Sequence, residues 1–204
     1  MSADVSIVRT GAANLASVVA AFERLECSIA VTDNVFAVRH ANRVVLPGVG
    51  SFAPVVRGLR ETGMADAIRS RVEEDRPTLA ICLGLQFLAL GSEEGEGVEG
   101  LGLLPVRASK FPPTVVVPQL GWNAVEADSS CRLLTSGAAY FANSYRLTGA
   151  INGWGVATSD HGGPFVAAVE RGNVLGCQFH PELSGSWGAD LLTRWLDCAG
   201  GAPC

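Results

Sequence analysis

The stretch Leu79-Ala80-Ile81-Cys82-Leu83-Gly84-Leu85-Gln86 constrains the fold more than any other part of the chain. A β-rich run over residues 77–81 meets helix formers over residues 83–90, with no turn residue between them. Strand and helix therefore join at Cys82. Open α/β sheets place their sites at such junctions, at the carboxyl ends of parallel strands. Earlier segments show the same alternation. Residues 5–8, 28–31 and 43–46 read as strands. Leu15, Val18, Val19, Phe22 and Leu25 fall at helical spacing, with Asn14 placed to cap them. Met64, Ala67, Ile68 and Val72 line the face of a second helix. Strands alternating with helices at this short period predict a parallel sheet covered on both faces.

The later chain changes character. Residues 91–102, with Glu93, Glu94, Glu96 and Glu99 among glycines, read as a solvated loop. Residues 114–117, 138–145 and 165–170 are β-rich and predict an antiparallel part of the sheet. Residues 173–180 read as one more strand, ending in His180-Pro181. A final helix carries Leu191, Leu192, Trp195 and Leu196 on one side. No repeat or linker divides the chain, so residues 1–204 read as a single domain. A net charge of −5 argues against a surface built to neutralise phosphates. No run of 18 apolar residues and no basic leader followed by an apolar stretch is present, so a cytoplasmic protein is expected. The six cysteines form no C-x-x-C pair, so zinc-site spacing is missing. Reduced thiols, most of them small buried hydrophobes, are the expectation.

Cys82 has small neighbours, Ala80 and Gly84, as a tight strand-to-helix turn requires. The free N–H groups of a helix N-terminus favour thiolate, and the Leu83 N–H is predicted to face the oxyanion of a tetrahedral intermediate. The local pattern alone serves a buried structural cysteine equally well. A thiolate nucleophile needs a base, and there are three histidines. His40 and His161 sit in polar stretches and read as solvated. His180 ends an apolar strand, and Pro181 disfavours the α region there. In extended chain Glu182 shares the side of His180. The three residues make a nucleophile, a base and an orienter. The glycine-rich Gly48-Val49-Gly50 lacks both the lysine ending and the spacing of nucleotide-binding loops.

These residues carry a resemblance. Residues 81–86 are similar to the Ile-Cys-Leu-Gly-x-Gln of the class I, triad-type glutamine amidotransferases, and residues 178–182 to their Gln-Phe-His-Pro-Glu. Within that family the chain most resembles the glutaminase subunits of imidazole glycerol phosphate synthase. Leu46-Pro47-Gly48-Val49-Gly50-Ser51-Phe52, residues 100–105 and Val117-Pro118-Gln119-Leu120-Gly121-Trp122-Asn123 carry this closer likeness. The resemblance implies a flavodoxin-like three-layer α/β sandwich around a mixed, mainly parallel central sheet. It implies that Cys82 attacks the carboxamide of glutamine, that His180 is its acid and base, and that Glu182 orients His180. Gly48, Val49, Gly50 and Leu83 would supply oxyanion amides, and Gln86, Ser144 and Tyr145 would hold the substrate. Ammonia would pass to a (βα)8-barrel cyclase partner, faced by Trp122, Asn123 and Tyr140. No metal or cofactor is implied. The chain differs from the usual family pattern at residues 9–14, 119–120, 143 and 183. Two alternatives are a glutaminase serving another synthase and a non-catalytic regulatory subunit.

Overall fold

The predicted alternation is present in a computed structural model of the protein, which describes residues 4–11 and 15–198. In chain order come β1 (Val5–Val8), α1 (Leu15–Arg24), β2 (Ile29–Thr32), α2 (Val35–His40), β3 (Val44–Leu46), α3 (Phe52–Glu61), α4 (Met64–Glu73), β4 (Thr78–Ile81) and α5 (Leu83–Leu88). Then follow β5 (Ala89–Ser92), β6 (Leu104–Lys110), β7 (Gln119–Ala127), β8 (Gly137–Asn143), β9 (Tyr145–Leu147), β10 (Gly155–Asp160), β11 (Pro164–Arg171), β12 (Val174–Cys177) and α6 (Gly185–Cys198). The proposed cap Asn14 lies outside the described residues.

The sheet is mixed, with a parallel centre in the order β2-β1-β3-β4-β12. From β12 it continues antiparallel through β11, β10, β7 and β8. β12, last in sequence, pairs in parallel with β4 through Cys177 opposite Ile81. This pairing brings the ends of two strands from distant parts of the chain side by side. One carries Cys82, and the other leads to His180.

Alternation along these strands builds the two outer layers. Val44 and Leu46 of β3 join one apolar cluster with α3, α4 and α5, while Val45 joins another with α1 and α6. Ala80 of β4 faces the first cluster, and Leu79 and Ile81 face the second. Phe22 and Trp195 meet edge to face at 6.2 Å and tie α1 to α6. Each such buried large side chain contributes roughly 2 kcal/mol.

Two expectations need correction. Residues 114–117 form turn and bend rather than strand. Pro112, Pro113 and Pro118 surround them and cannot donate to a ladder. Residues 91–102 are only partly exposed. β5 and a 3₁₀ turn at Glu93–Gly95 begin the segment, and Val98 and Leu101 are buried. Its backbone bonds α5 and β5 through Gly100 N to Leu90 O (2.9 Å) and Leu101 N to Phe87 O (2.7 Å). The glycines there permit close approach, which composition cannot tell from exposure. Cys27, Cys82, Cys131 and Cys177 are free thiols. No helix among the described residues is long and apolar enough to cross a membrane.

One buried charge holds the far end of the sheet. Arg71 of α4 is fully buried and donates to the carbonyls of Val38 (3.1 Å), Ala41 (2.8 Å) and Pro77 (2.7 Å). Burial, aided by the nearby Arg76 charge, lowers its pKa to about 10. The guanidinium bonds α4 to the C-terminus of α2 and to the segment leading into β4. Arg71→Met should cost about 3 kcal/mol or more, because several buried carbonyls lose their donor. A lowered urea midpoint at unchanged slope would show this.

Candidate active site at the β4–α5 junction

Cys82 occupies the junction with φ 54° and ψ −107°, a backbone region that non-glycine residues rarely adopt. Its N–H donates to Cys177 O at 2.6 Å, locking the turn to β12. A Cβ on Gly84 would run into the Leu46 carbonyl oxygen, so glycine is required for α5 to start against β3. This is the tight turn inferred from Ala80 and Gly84. The Cys82 side chain is buried but reaches a cavity of about 140 Å³ lined by Val49, Gly50, Leu83, Gln86, Asn143 and Tyr145, among others.

His180 lies beside it. The ring Nδ1 is 2.8 Å from Glu182 Oε1, and both side chains are almost wholly buried. His180 is extended, as Pro181 predicts, at φ −101° and ψ 96°. Residues Pro181–Leu183 then form a 3₁₀ turn, so Glu182 reaches the imidazole by a turn and not by extended chain. Burial opposes charge on His180. Hydrogen bonds to Cys82 and Glu182, and the negative charge of both, outweigh it and raise the imidazole pKa to about 10. Ser184 braces the histidine. Its hydroxyl donates to His180 O at 2.6 Å and accepts from Tyr140 N at 3.0 Å, while His180 N donates to Tyr140 O at 2.9 Å.

The remaining sequence candidates divide. Ser144 and Tyr145 line the cavity, and Gln86 donates from Nε2 to Tyr145 O at 3.2 Å. Val49 and Gly50 also line it. The Leu83 N–H, expected to face an oxyanion, instead donates to Gly48 O at 3.2 Å. That carbonyl takes the donor the sequence reading assigned to the substrate. Trp122 is well exposed at 59%, with Tyr140 half-buried and edge-on to it at 6.3 Å. The Asn123 side-chain amide donates to Asp160 O at 2.7 Å.

His40 is exposed, as expected, but His161 is not simply solvated. Its Nε2 lies 2.8 Å from Val116 O, and its ring packs edge-on to Phe111 at 5.0 Å. Residues 92–94 resemble a family segment near the active site but read mainly as solvated loop, and Gln178 was not singled out. Glu94 lines the cavity and accepts from the Phe52 N–H at 3.0 Å, where a run of acidic residues suggested a solvated loop. Gln178 is fully buried, with Nε2 3.5 Å from the Cys82 sulfur. The period of two that pairs residues 178 and 180 was its available signal. Among the described residues no three His, Cys, Asp or Glu side chains gather as metal ligands.

A buried sulfur beside an imidazole oriented by a carboxylate can attack an electrophilic carbon and shuttle a proton to the leaving group. The raised pKa of His180 has a consequence for stability. The folded value lies above the 6.5 of ordinary imidazole, so the folded state binds the proton more tightly. The resulting stability is full below about pH 6.5 and is lost as pH rises through about 10. Melting curves across that range should show wild type falling relative to His180→Gln; a constant difference would overturn the assignment.

Comparison with known proteins shows the family. The model of the glutamine amidotransferase class-I family matches residues 7–196. The imidazole glycerol phosphate synthase subunit HisH of Herpetosiphon aurantiacus is 41% identical over 198 residues, spanning 96% of this chain and 94% of that protein. A longer Arabidopsis thaliana protein, the chloroplastic imidazole glycerol phosphate synthase hisHF, is 38% identical over 94% of this chain and 34% of its own length. A crystal structure described as a glutamine amidotransferase superposes with a TM-score of 0.76 at 22% identity, covering 96% of this chain and 98% of that one, which shows the shared fold. With a family match across nearly the whole chain and full-length likeness to HisH proteins, the chain belongs to the class-I glutamine amidotransferases, among the imidazole glycerol phosphate synthase subunits HisH.

Proposed function

We propose that the chain is the glutaminase subunit of an imidazole glycerol phosphate synthase, a single amidotransferase domain over residues 1–204 working in the cytoplasm with a (βα)8-barrel cyclase. One observation carries the chemistry: a strained, buried cysteine opens on the cavity of Gln86 and Tyr145 and lies beside a His180–Glu182 pair at 2.8 Å. The Cys82 thiolate attacks the side-chain carbonyl carbon of L-glutamine. The C–O π electrons move to oxygen, giving a tetrahedral oxyanion. Its collapse breaks the C–N bond as protonated His180 gives its proton to the departing ammonia. Neutral His180 then takes a proton from water, which attacks the thioester and releases glutamate. Glu182 holds the imidazole in orientation and favours its charged form. Gln86, Ser144 and Tyr145 hold the substrate.

Ammonia passes to the cyclase, which converts a phosphoribosyl-imidazolecarboxamide precursor (PRFAR) to imidazole glycerol phosphate and AICAR. The exposed Leu120 and Trp122 of β7 give the docking face an apolar centre. Exposed large apolar groups on one side of a molecule mark interaction surfaces. The fused name of the Arabidopsis relative, hisHF, supports such a pairing.

Cys82→Ala should abolish PRFAR turnover driven by glutamine while turnover driven by added ammonia persists in the same complex. Glutamine-driven product formation by this variant would sink the assignment. The Gly48 carbonyl on the Leu83 amide also bears on rate. Oxyanion binding requires that carbonyl to turn away. The isolated chain should therefore hydrolyse glutamine about 10²-fold or more slowly than the complex with its acceptor, the effect of one missing oxyanion donor. Equal rates for the isolated chain and the complex would overturn this.

A further inference from the structure

Gln178 lies on the segment between β12 and His180, and its side chain has no contact with solvent. Its Oε1 accepts from Gln86 Nε2 at 3.0 Å, and its Nε2 points to the Cys82 sulfur at 3.5 Å. The order of these bonds follows from one fixed acceptor. The Tyr145 backbone carbonyl can only accept, and it receives both Gln86 Nε2 (3.2 Å) and Asn143 Nδ2 (3.0 Å). Gln86 must therefore turn its nitrogen towards Tyr145. The same nitrogen supplies its second hydrogen to Gln178, so Gln178 must present oxygen to Gln86. That leaves the Gln178 NH2 facing the sulfur. A backbone carbonyl thereby sets two side-chain amides in series, and the series ends on the proposed nucleophile.

We propose that Gln178 is a positioning residue of this site: its side-chain amide donates a hydrogen bond to the Cys82 thiolate and ties the sulfur to Gln86. The proposal rests on Cys82 as nucleophile. A buried thiolate needs a donor besides the imidazolium, because a negative charge away from water is costly when left partly unpaired. A neutral amide suits the task, since it stabilises the thiolate without competing for the His180 proton. It also gives the sulfur a fixed direction while His180 exchanges its proton with ammonia and water. The tie to Gln86, which lines the substrate cavity, places substrate grip and nucleophile on one hydrogen-bonded chain. Titratable groups around the sulfur come from several elements: His180 and Glu182 after β12, Glu94 after β5, Tyr145 on β9 and Cys177 on β12.

The test is the pH dependence of Cys82 alkylation by iodoacetamide in the full chain, with the modified peptide followed by mass spectrometry. Alkylation reports thiolate whether or not glutamine is turned over, so failure here and failure of the glutaminase reading are seen separately. Gln178→Met keeps the volume and removes the donor. Its alkylation midpoint should rise by about one to two pH units, the effect of one hydrogen bond to a charged group. With the cyclase bound, kcat for glutamine should fall about tenfold to a hundredfold, more than KM rises. Gln86→Met does not touch the sulfur but frees the Gln178 amide to turn, and should raise the midpoint by a smaller amount. That variant carries the test alone if Gln178→Met fails to fold. An unmoved midpoint in the folded variants, even with activity lost, means that Gln178 only fills space and overturns the proposal.

Discussion

The left-handed backbone at Cys82 is the constraint on which the rest of this site depends. Such a conformation costs of order 1–3 kcal/mol and persists only where its surroundings over-determine it. Here they do so through three contacts, on β12 and β3. β12 accepts the Cys82 N–H through Cys177 O, Gly48 after β3 accepts the Leu83 N–H, and Gly84 lies against Leu46. Each contact requires the parallel centre of the sheet to be assembled. The strain thus stays with the site, while the two apolar layers around β3, β4 and β12 hold it in place.

Charge within the site obeys a related economy. Sulfur, imidazole and carboxylate are all nearly removed from water, where an isolated ion would be strongly disfavoured. The three groups compensate one another. Glu182 and Cys82 hold His180 in its charged form despite its burial. The histidine cannot drift, because Ser184 and Tyr140 pin its backbone from both sides. The residues that fix His180 also reach the exposed face of β7 and β8, where Tyr140 supports Trp122. The docking face proposed for the cyclase and the proposed base therefore share one backbone anchor.

Much of this was legible in the chain itself, because its signals are local. A strand running into a helix at a cysteine, a histidine held extended by proline, and helical spacing in Met64, Ala67, Ile68 and Val72 all depend on neighbours within one turn or one pleat. Failures came where a local signal has two physical meanings. Glycine and glutamate over residues 91–102 suit exposure, yet there the glycines admit close approach to α5 and β5. Valines over residues 115–117 suit a strand, yet prolines around them remove the donors a strand needs.

By itself the sequence determined the fold class, the strand-to-helix position of Cys82 and the chemical types able to serve it. These follow from periodicity and side-chain chemistry, which are properties of a few adjacent residues. Only the tertiary structure decided that β12 lies beside β4, so that His180, nearly 100 positions away, meets Cys82. It alone decided that Gly48 covers the Leu83 amide and that Gln178 lies against the sulfur. Hydrogen bonds between distant segments depend on distances of a few tenths of an ångström, and those are set only when all the layers pack together.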